Sequence, residues 1–189
     1  MKLLIKLMLI STLCVFPLSV NALEIKGVKV EDMAQVGDVA LVLNGAGMRV
    51  KLMFKVYVAG LYLTQKLSEE NAVINDAGNK RISMHFLRNV DSDALLGGMN
   101  DGFTDNNAKA DMAAIEPQMK AFRQMMTSAK EVKVGDEIVL DLTSAGTKVS
   151  LNDKLLGNIE GGAFNRALLR VWLGNKPVDA PLKKALLGN

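Results

Sequence analysis

The stretch Gly45–Leu63, GAGMRVKLMFKVYVAGLYL, constrains this chain more than any other part of it. It opens on small residues and continues as the longest run of strand-favouring residues in the sequence. Taken as one strand over 49–63, its even positions Val50, Leu52, Phe54, Val56 and Val58 are apolar, and its odd positions Arg49, Lys51, Met53, Lys55 and Tyr57 are mixed. Period-two geometry sends the two sets to opposite faces. Arg49 and Tyr57 thus share the mixed face, just after the turn-forming Asn44-Gly45-Ala46-Gly47. A cation and a hydroxyl there point to a pocket for an anionic or phenolic group. Eight residues of straight strand span roughly 26 Å. Both side chains reach one ligand only if the chain folds back or bulges between them.

The N-terminal residues read as a signal rather than as fold. Lys2 and Lys6 give a basic start, 7–20 is almost wholly apolar, and Val20-Asn21-Ala22 offers a cleavage site. That is the layout of a secretory signal peptide over 1–22, with export to the periplasm and a single domain over 23–189 as the expectation. An uncleaved anchor is the alternative, although the apolar run is short for a span of about 20 residues. Lys2 and Lys6 account for two of the 23 basic residues, and the segment holds none of the 20 acidic ones, so the remainder carries a net charge near +1. The basic balance gives no support for nucleic-acid binding. No stable membrane insertion is expected after cleavage. The one cysteine, Cys14, leaves with the segment, which removes thiol catalysis and cysteine-ligated metals. The one histidine, His85, excludes a histidine-rich zinc site.

Elsewhere the pattern alternates strands and helices. Residues 23–30 read as a half-buried strand, 32–38 as a polar connection, and 39–44 as a short strand closing on the Asn-Gly-Ala-Gly signal. Residues 68–74 form a short helix with Ser68 as N-cap. Residues 80–87 form a strand with Ile82, Met84 and Phe86 on one face and His85 on the other, where a partly exposed histidine is commoner than a catalytic one. Asp91-Ser92-Asp93 caps a helix bearing Leu95, Leu96 and Met99. Its Gly97-Gly98 pair marks either close backbone approach or a frayed end. Met112, Ile115, Met119, Phe122 and Met126 recur at helical spacing over 108–128, with Pro117 restarting or kinking that helix. The many methionines suit either an adaptable apolar pocket or, more commonly, ordinary core. Segments 137–142, 147–151 and 155–159 form hairpins, and two helices follow, one carrying Phe164, Ala167, Leu168, Val171 and Trp172 on one face and one over 180–187. The order reads as one α+β domain with an antiparallel sheet.

Several pieces resemble the chalcone isomerase family, and specifically its bacterial chalcone-isomerase-like branch. They are Asn44 to Arg49, Phe54 to Leu63, Met84 to Arg88, Gly161 to Phe164, Ala167 to Gly174 and Lys176-Pro177-Val178, spread in order along nearly the whole chain after the signal. The resemblance implies an open-faced β-sandwich, the chalcone isomerase fold, with an antiparallel sheet, helices layered on one face and the ligand cleft between them. It also implies that no metal or organic cofactor is needed. Plant members close a ring by adding a phenolate to an enone, which takes a cation for the phenolate and hydrogen-bond donors for the developing enolate. The family's arginine after the Gly-Ala-Gly turn resembles Arg49. Its strand threonine falls on Tyr57, its helix tyrosine and lysine at about Asp93 and Leu96, its asparagine at Asn100, and its late threonine near Val171. The cation is kept and most donors are not. Fatty-acid-binding members use an Arg and a Tyr to hold a carboxylate, and Arg49 with Tyr57 resembles that pair.

Two functions follow. The first is non-catalytic binding of a fatty acid or similar apolar acid by Arg49 and Tyr57. The second is a cofactor-free isomerase, an intramolecular lyase on an enone-like or phenolic substrate, with Arg49, Tyr57 and Asn100 as its catalytic groups. Against both stands an Arg49 that is only a surface strand residue and a Tyr57 that is only core.

Overall fold

The chain turns back on itself in the middle of the stretch expected to be one long strand. Leu52 and Met53 both take left-handed backbone conformations, with φ of 48° and 70°, and Lys51 pairs with Phe54. This is a tight two-residue hairpin turn. The computed structural model describes residues 23–189, and the segment 1–22 read as a signal peptide lies outside them.

In chain order the elements are β1 (Leu23–Ile25), β2 (Val28–Val30), β3 (Met33–Val36), β4 (Val39–Lys51), β5 (Phe54–Leu63), α1 (Glu70–Asn75), β6 (Lys80–Phe86), β7 (Val90–Asp91), α2 (Ser92–Asn106), α3 (Lys109–Ala114), α4 (Glu116–Ser128), β8 (Glu131–Val132), β9 (Glu137–Thr143), β10 (Gly146–Leu151), β11 (Lys154–Glu160), α5 (Gly162–Leu173) and α6 (Ala180–Leu186). Seven strands form one antiparallel sheet in the order β11-β10-β9-β6-β5-β4-β3. The α+β sandwich expected from the sequence is therefore present, with the helices packed on one face of the sheet.

Odd positions of β5 decide the layering. Tyr57, Ala59, Leu61 and Leu63 join the main core with Ile82, Met84 and Phe86 of β6 and the apolar faces of α2, α4 and α5. Val58 and Tyr62 point the other way, into a smaller cluster with Val30, Val36 and Leu41 under the β1–β2 hairpin. Both faces of β5 are thus covered, which accounts for its near-continuous apolar run. The apolar even positions do not form one continuous face, because the turn interrupts them. Leu52 and Phe54 are exposed, since Leu52 lies in the reversal itself and Phe54 closes it opposite Lys51.

Other expectations shift in similar ways. Residues 23–30 are two strands, turned at Lys26-Gly27. The polar connection 32–38 contains edge strand β3, paired to β4 from Met33↔Val42 to Val36↔Val39. Gly45-Ala46-Gly47 forms no reversal and runs inside β4, although the register does slip between Leu43 and Gly45. The glycines there serve helix packing. A Cβ on Gly47 would lie 2.6 Å from Ala185 Cβ, and one on Gly45 would overlap the Ala185 carbonyl. Side chains at either position would push α6 off the strand. Asn44 fastens the same junction: its Nδ2 donates to the carbonyls of Leu67 (2.9 Å) and Leu186 (2.8 Å), and its Oδ1 accepts from Leu67 N. Ser68 is not the N-cap of α1, which starts from Glu69 with no side-chain cap. Asp91 does cap α2, accepting from Ala94 N at 2.7 Å. Pro117 restarts the helical run as expected, since the break falls at Ile115 between α3 and α4.

Candidate functional site

The Leu52-Met53 reversal brings Arg49 and Tyr57 directly opposite each other as cross-strand partners on β4 and β5. The distance problem posed by a straight strand therefore disappears. Directly paired residues on one sheet face have Cβ atoms about 5 Å apart. The Arg49 guanidinium carbon lies 5.5 Å from the centroid of the Tyr57 ring, within reach of a cation–π contact of about 0.5–2 kcal/mol. Tyr57 is 1% exposed and Arg49 9%.

Arg49 is unusual among the buried charges. Lys80, also buried, donates to the carboxylate of Asp76 and to the Asp76 and Gly78 carbonyls. Arg49 has no carboxylate within 4.0 Å among the described residues, and its buried Nε has no hydrogen-bond partner there. A desolvated guanidinium without an anion is costly to hold, which makes Arg49 the candidate anion site of the chain. Gly98 of α2 makes room beside it: a Cβ at that position would come within 3.4 Å of Arg49 Nη2. The Gly97-Gly98 pair thus resolves into close backbone approach at Gly98, while Gly97 faces open space.

Tyr57 is held from its other end. Trp172 Nε1 on α5 donates to the Tyr57 hydroxyl at 2.9 Å, and Phe86 packs against the ring with centroids 5.5 Å apart. Burial pushes the Tyr57 phenol above its ordinary range, partly offset by the Arg49 charge and the Trp172 N–H. At neutral pH it is a neutral phenol and no base. Trp172 has a place in this site that its helical spacing did not reveal. The available signal was its being the one tryptophan of the sequence, whose N–H needs a partner when buried.

Arg49 opens onto a cavity of about 230 Å³ at the end of the sheet, walled by Leu52, Phe54, Val56, Val90, Ala94 and Leu95 and edged by Lys51, Arg88, Asn89 and Asp91. Tyr57 is not part of this lining. It backs Arg49 rather than facing the same space. Beyond Leu95 the interior continues as a slot of only about 10 Å³ among Met84, Met99, Phe122, Met126, Ile138 and Leu140. Met84, Met99 and Met126 therefore fill core, with their flexible side chains around this gap. A larger cavity of about 610 Å³ lies between the β3–β4 turn and strands β9 to β11, away from Arg49, with Val36, Val39 and Ile159 as well as Asp141, Thr143 and Lys148 in its lining.

The remaining candidates are not brought to Arg49. Asn100 is exposed on α2, where its carbonyl accepts from Thr104. Asp93 is exposed as well. Val171 is buried against Gly102 of α2. His85 lies on the opposite sheet face from Met84, half-buried, with its Nε2 3.1 Å from the Glu137 carboxylate. Among the described residues no cluster of His, Cys, Asp or Glu could hold a metal ion. What the arrangement offers chemically is one desolvated cation beside an apolar cavity, without a convergent set of donors.

An open-faced antiparallel sheet with helices on one face, and a buried arginine beside a cavity at one end of β4, define a small sandwich. Residues 22–188 match the profile of the chalcone isomerase-like family, and the chain belongs to that family. Among solved structures, a fatty-acid binding protein of Arabidopsis thaliana superposes with a TM-score of 0.67 at 13% identity, covering 85% of this chain and 92% of that one. At that identity the likeness is one of fold. Comparison with curated protein sequences finds no match.

Proposed function

We propose that this protein binds a fatty acid or similar apolar acid without transforming it, with Arg49 as the carboxylate anchor. The observation that carries this reading is Arg49, 9% exposed, with no carboxylate within 4.0 Å and no partner for its Nε among the described residues, beside a largely apolar cavity. A carboxylate would satisfy Arg49 by paired N–H···O bonds in a dry setting, where such bonds are strongest. Tyr57 holds the guanidinium in place through its ring, and Trp172 holds Tyr57. The fold shared with a plant fatty-acid binding protein supports the same reading. The cavity of about 230 Å³ is smaller than the roughly 300 Å³ at which ligand sites usually begin. A long chain would therefore displace Leu95 and thread between Met84, Met99 and Met126, whose unbranched side chains repack at little cost.

The isomerase alternative receives a cation for an oxyanion but not the donors. Asn100 is exposed, and Tyr57, whose hydroxyl accepts from Trp172, does not line the Arg49 cavity. Export is part of the proposal: 1–22 is removed and the rest acts in the periplasm. N-terminal sequencing of protein recovered from that compartment tests it, and an intact Met1 there overturns it.

The binding test uses delipidated protein and a fluorescent fatty acid. Saturable binding is expected, weakened at least tenfold by Arg49→Ala. Equal binding by both forms, or none by either, overturns the reading.

A further inference from the structure

The tip of the β4–β5 hairpin is costly in two ways at once. Leu52 and Met53 are 82% and 94% exposed, and Phe54 beside them is 58% exposed. Both turn residues also sit in the left-handed region that Asn and Gly occupy with least strain. Among the described residues two other two-residue turns have this backbone, Lys26-Gly27 and Asn152-Asp153, and both use polar or glycine residues. Leu-Met at the third is therefore not demanded by the turn. It adds nothing to the core, and adjoining exposed apolar side chains of this kind mark a contact surface.

The charges around the tip indicate what it contacts. Lys51 and Lys55 flank it and are exposed. The guanidinium carbon of exposed Arg88 lies 4.6 Å from the Phe54 ring centroid. No acidic residue occurs between Asp38 and Glu69. The nearest carboxylates are already engaged: Asp91 caps α2, and Asp179 accepts from Val50 N and Leu182 N. Apolar side chains at an apex with a collar of cations complement a surface that is apolar below and anionic above.

We infer that the Leu52-Met53-Phe54 tip docks reversibly on the surface of an anionic phospholipid bilayer. Leu52, Met53 and Phe54 enter the acyl boundary, and Lys51, Lys55 and Arg88 pair with headgroup phosphates. No helix among the described residues is long and apolar enough to cross a membrane, so the contact is peripheral. Leu52, Phe54, Lys51 and Arg88 also edge the Arg49 cavity, so docking turns the mouth of that cavity toward the lipid. The inference stands on the tip's own residues. A protein that docks through the tip and takes no fatty acid would keep this inference and lose the preceding one.

The test is co-sedimentation of the full chain with vesicles of phosphatidylglycerol and phosphatidylcholine in equal parts, against phosphatidylcholine alone. The key variant is Leu52→Asn with Met53→Gly, which installs favoured turn residues and is expected to hold or raise thermal stability. Binding to the mixed vesicles should fall at least tenfold in this variant. Lys51→Glu with Lys55→Glu should lose more than tenfold, since each cation near such a surface is worth about fivefold in affinity. Any binding through residues 1–22 is common to all variants and does not enter the difference. Unchanged binding by the Asn-Gly variant overturns the inference, as does equal binding to both vesicle types. Concentration-dependent dimerisation that the Asn-Gly variant abolishes, without vesicle binding above that variant's level, would assign the tip to a second copy of the chain and overturn it too.

Discussion

The Tyr57 hydroxyl and the Trp172 indole N–H meet at 2.9 Å across 115 positions of sequence, joining the cleft strand β5 to helix α5. Both side chains are 1% exposed, so neither can exchange this bond for one to water. Tyr57→Phe leaves the indole N–H unpaired in the core and is expected to cost about 1–3 kcal/mol. Trp172→Phe should cost more, because it also removes buried ring area. In a double-mutant cycle by denaturant unfolding, the two losses should be less than additive by about 1 kcal/mol. Simple additivity would show that the bond contributes nothing.

Arg49 is expected to trade stability for binding. Arg49→Leu removes a desolvated cation that has no anionic partner, and should stabilise the ligand-free protein by about 1–3 kcal/mol. The same variant should lose fatty-acid affinity. Thermal melts of both proteins, with and without added fatty acid, read the two effects separately. A destabilised Arg49→Leu protein would make Arg49 a structural residue held by Tyr57.

The two tyrosines of the sequence give a pH prediction. Burial raises the Tyr57 phenol, and burial pushes Tyr62 up to about 12 from its ordinary value of 10.0. A group whose pKa is higher folded than unfolded contributes stability that is complete below the unfolded value. That contribution is lost as pH climbs above it. Stability should therefore hold to about pH 10 and fall between 10 and about 12. Tyrosinate absorbance should show no ionisation step near 10 while the protein is folded. A step there, without unfolding, would contradict the burial of both rings.

Glycines on this chain separate by what surrounds them. Gly97 lies inside α2 with no atom near its missing Cβ, so Gly97→Ala should stabilise by about 0.5–1 kcal/mol. Gly47→Ala would set a methyl 2.6 Å from Ala185 Cβ and 3.2 Å from Leu182 Cδ1. It should cost about 1–3 kcal/mol or more by displacing α6. Urea unfolding of the two variants decides it, and a neutral Gly47→Ala would mean that α6 yields freely.

These contrasts also show what was legible in the sequence. The antiparallel sheet, the hairpins β9 to β11, the restart at Pro117 and the Asp91 cap all follow from local signals: period-two alternation, turn residues and caps. The family resemblance added the layered architecture. The reversal at Leu52-Met53 was hidden because those residues carry strand and core character and no turn chemistry. The same disguise made Val50, Leu52 and Phe54 read as one apolar face of a single strand. Gly45 and Gly47 signalled something unusual, but α6, which gives them their role, arrives some 140 positions later. Arg49 was identifiable as a cation on a cleft strand. That it lacks an anion and rests on Tyr57 depends on Gly98 and Trp172, which only the tertiary structure brings there.

Asn44 sets a condition on timing. Its amide clasps the Leu186 carbonyl, 142 positions downstream, while Asp179 receives the N–H of Val50, 129 positions downstream. The strand carrying Arg49 is thus pinned at two points by residues made long after it. Contacts of such separation close slowly and late. During synthesis Arg49 is on the chain well before the clasp that fixes its strand exists. The strand carrying Arg49 acquires its final support only when residue 186 has been made and has docked.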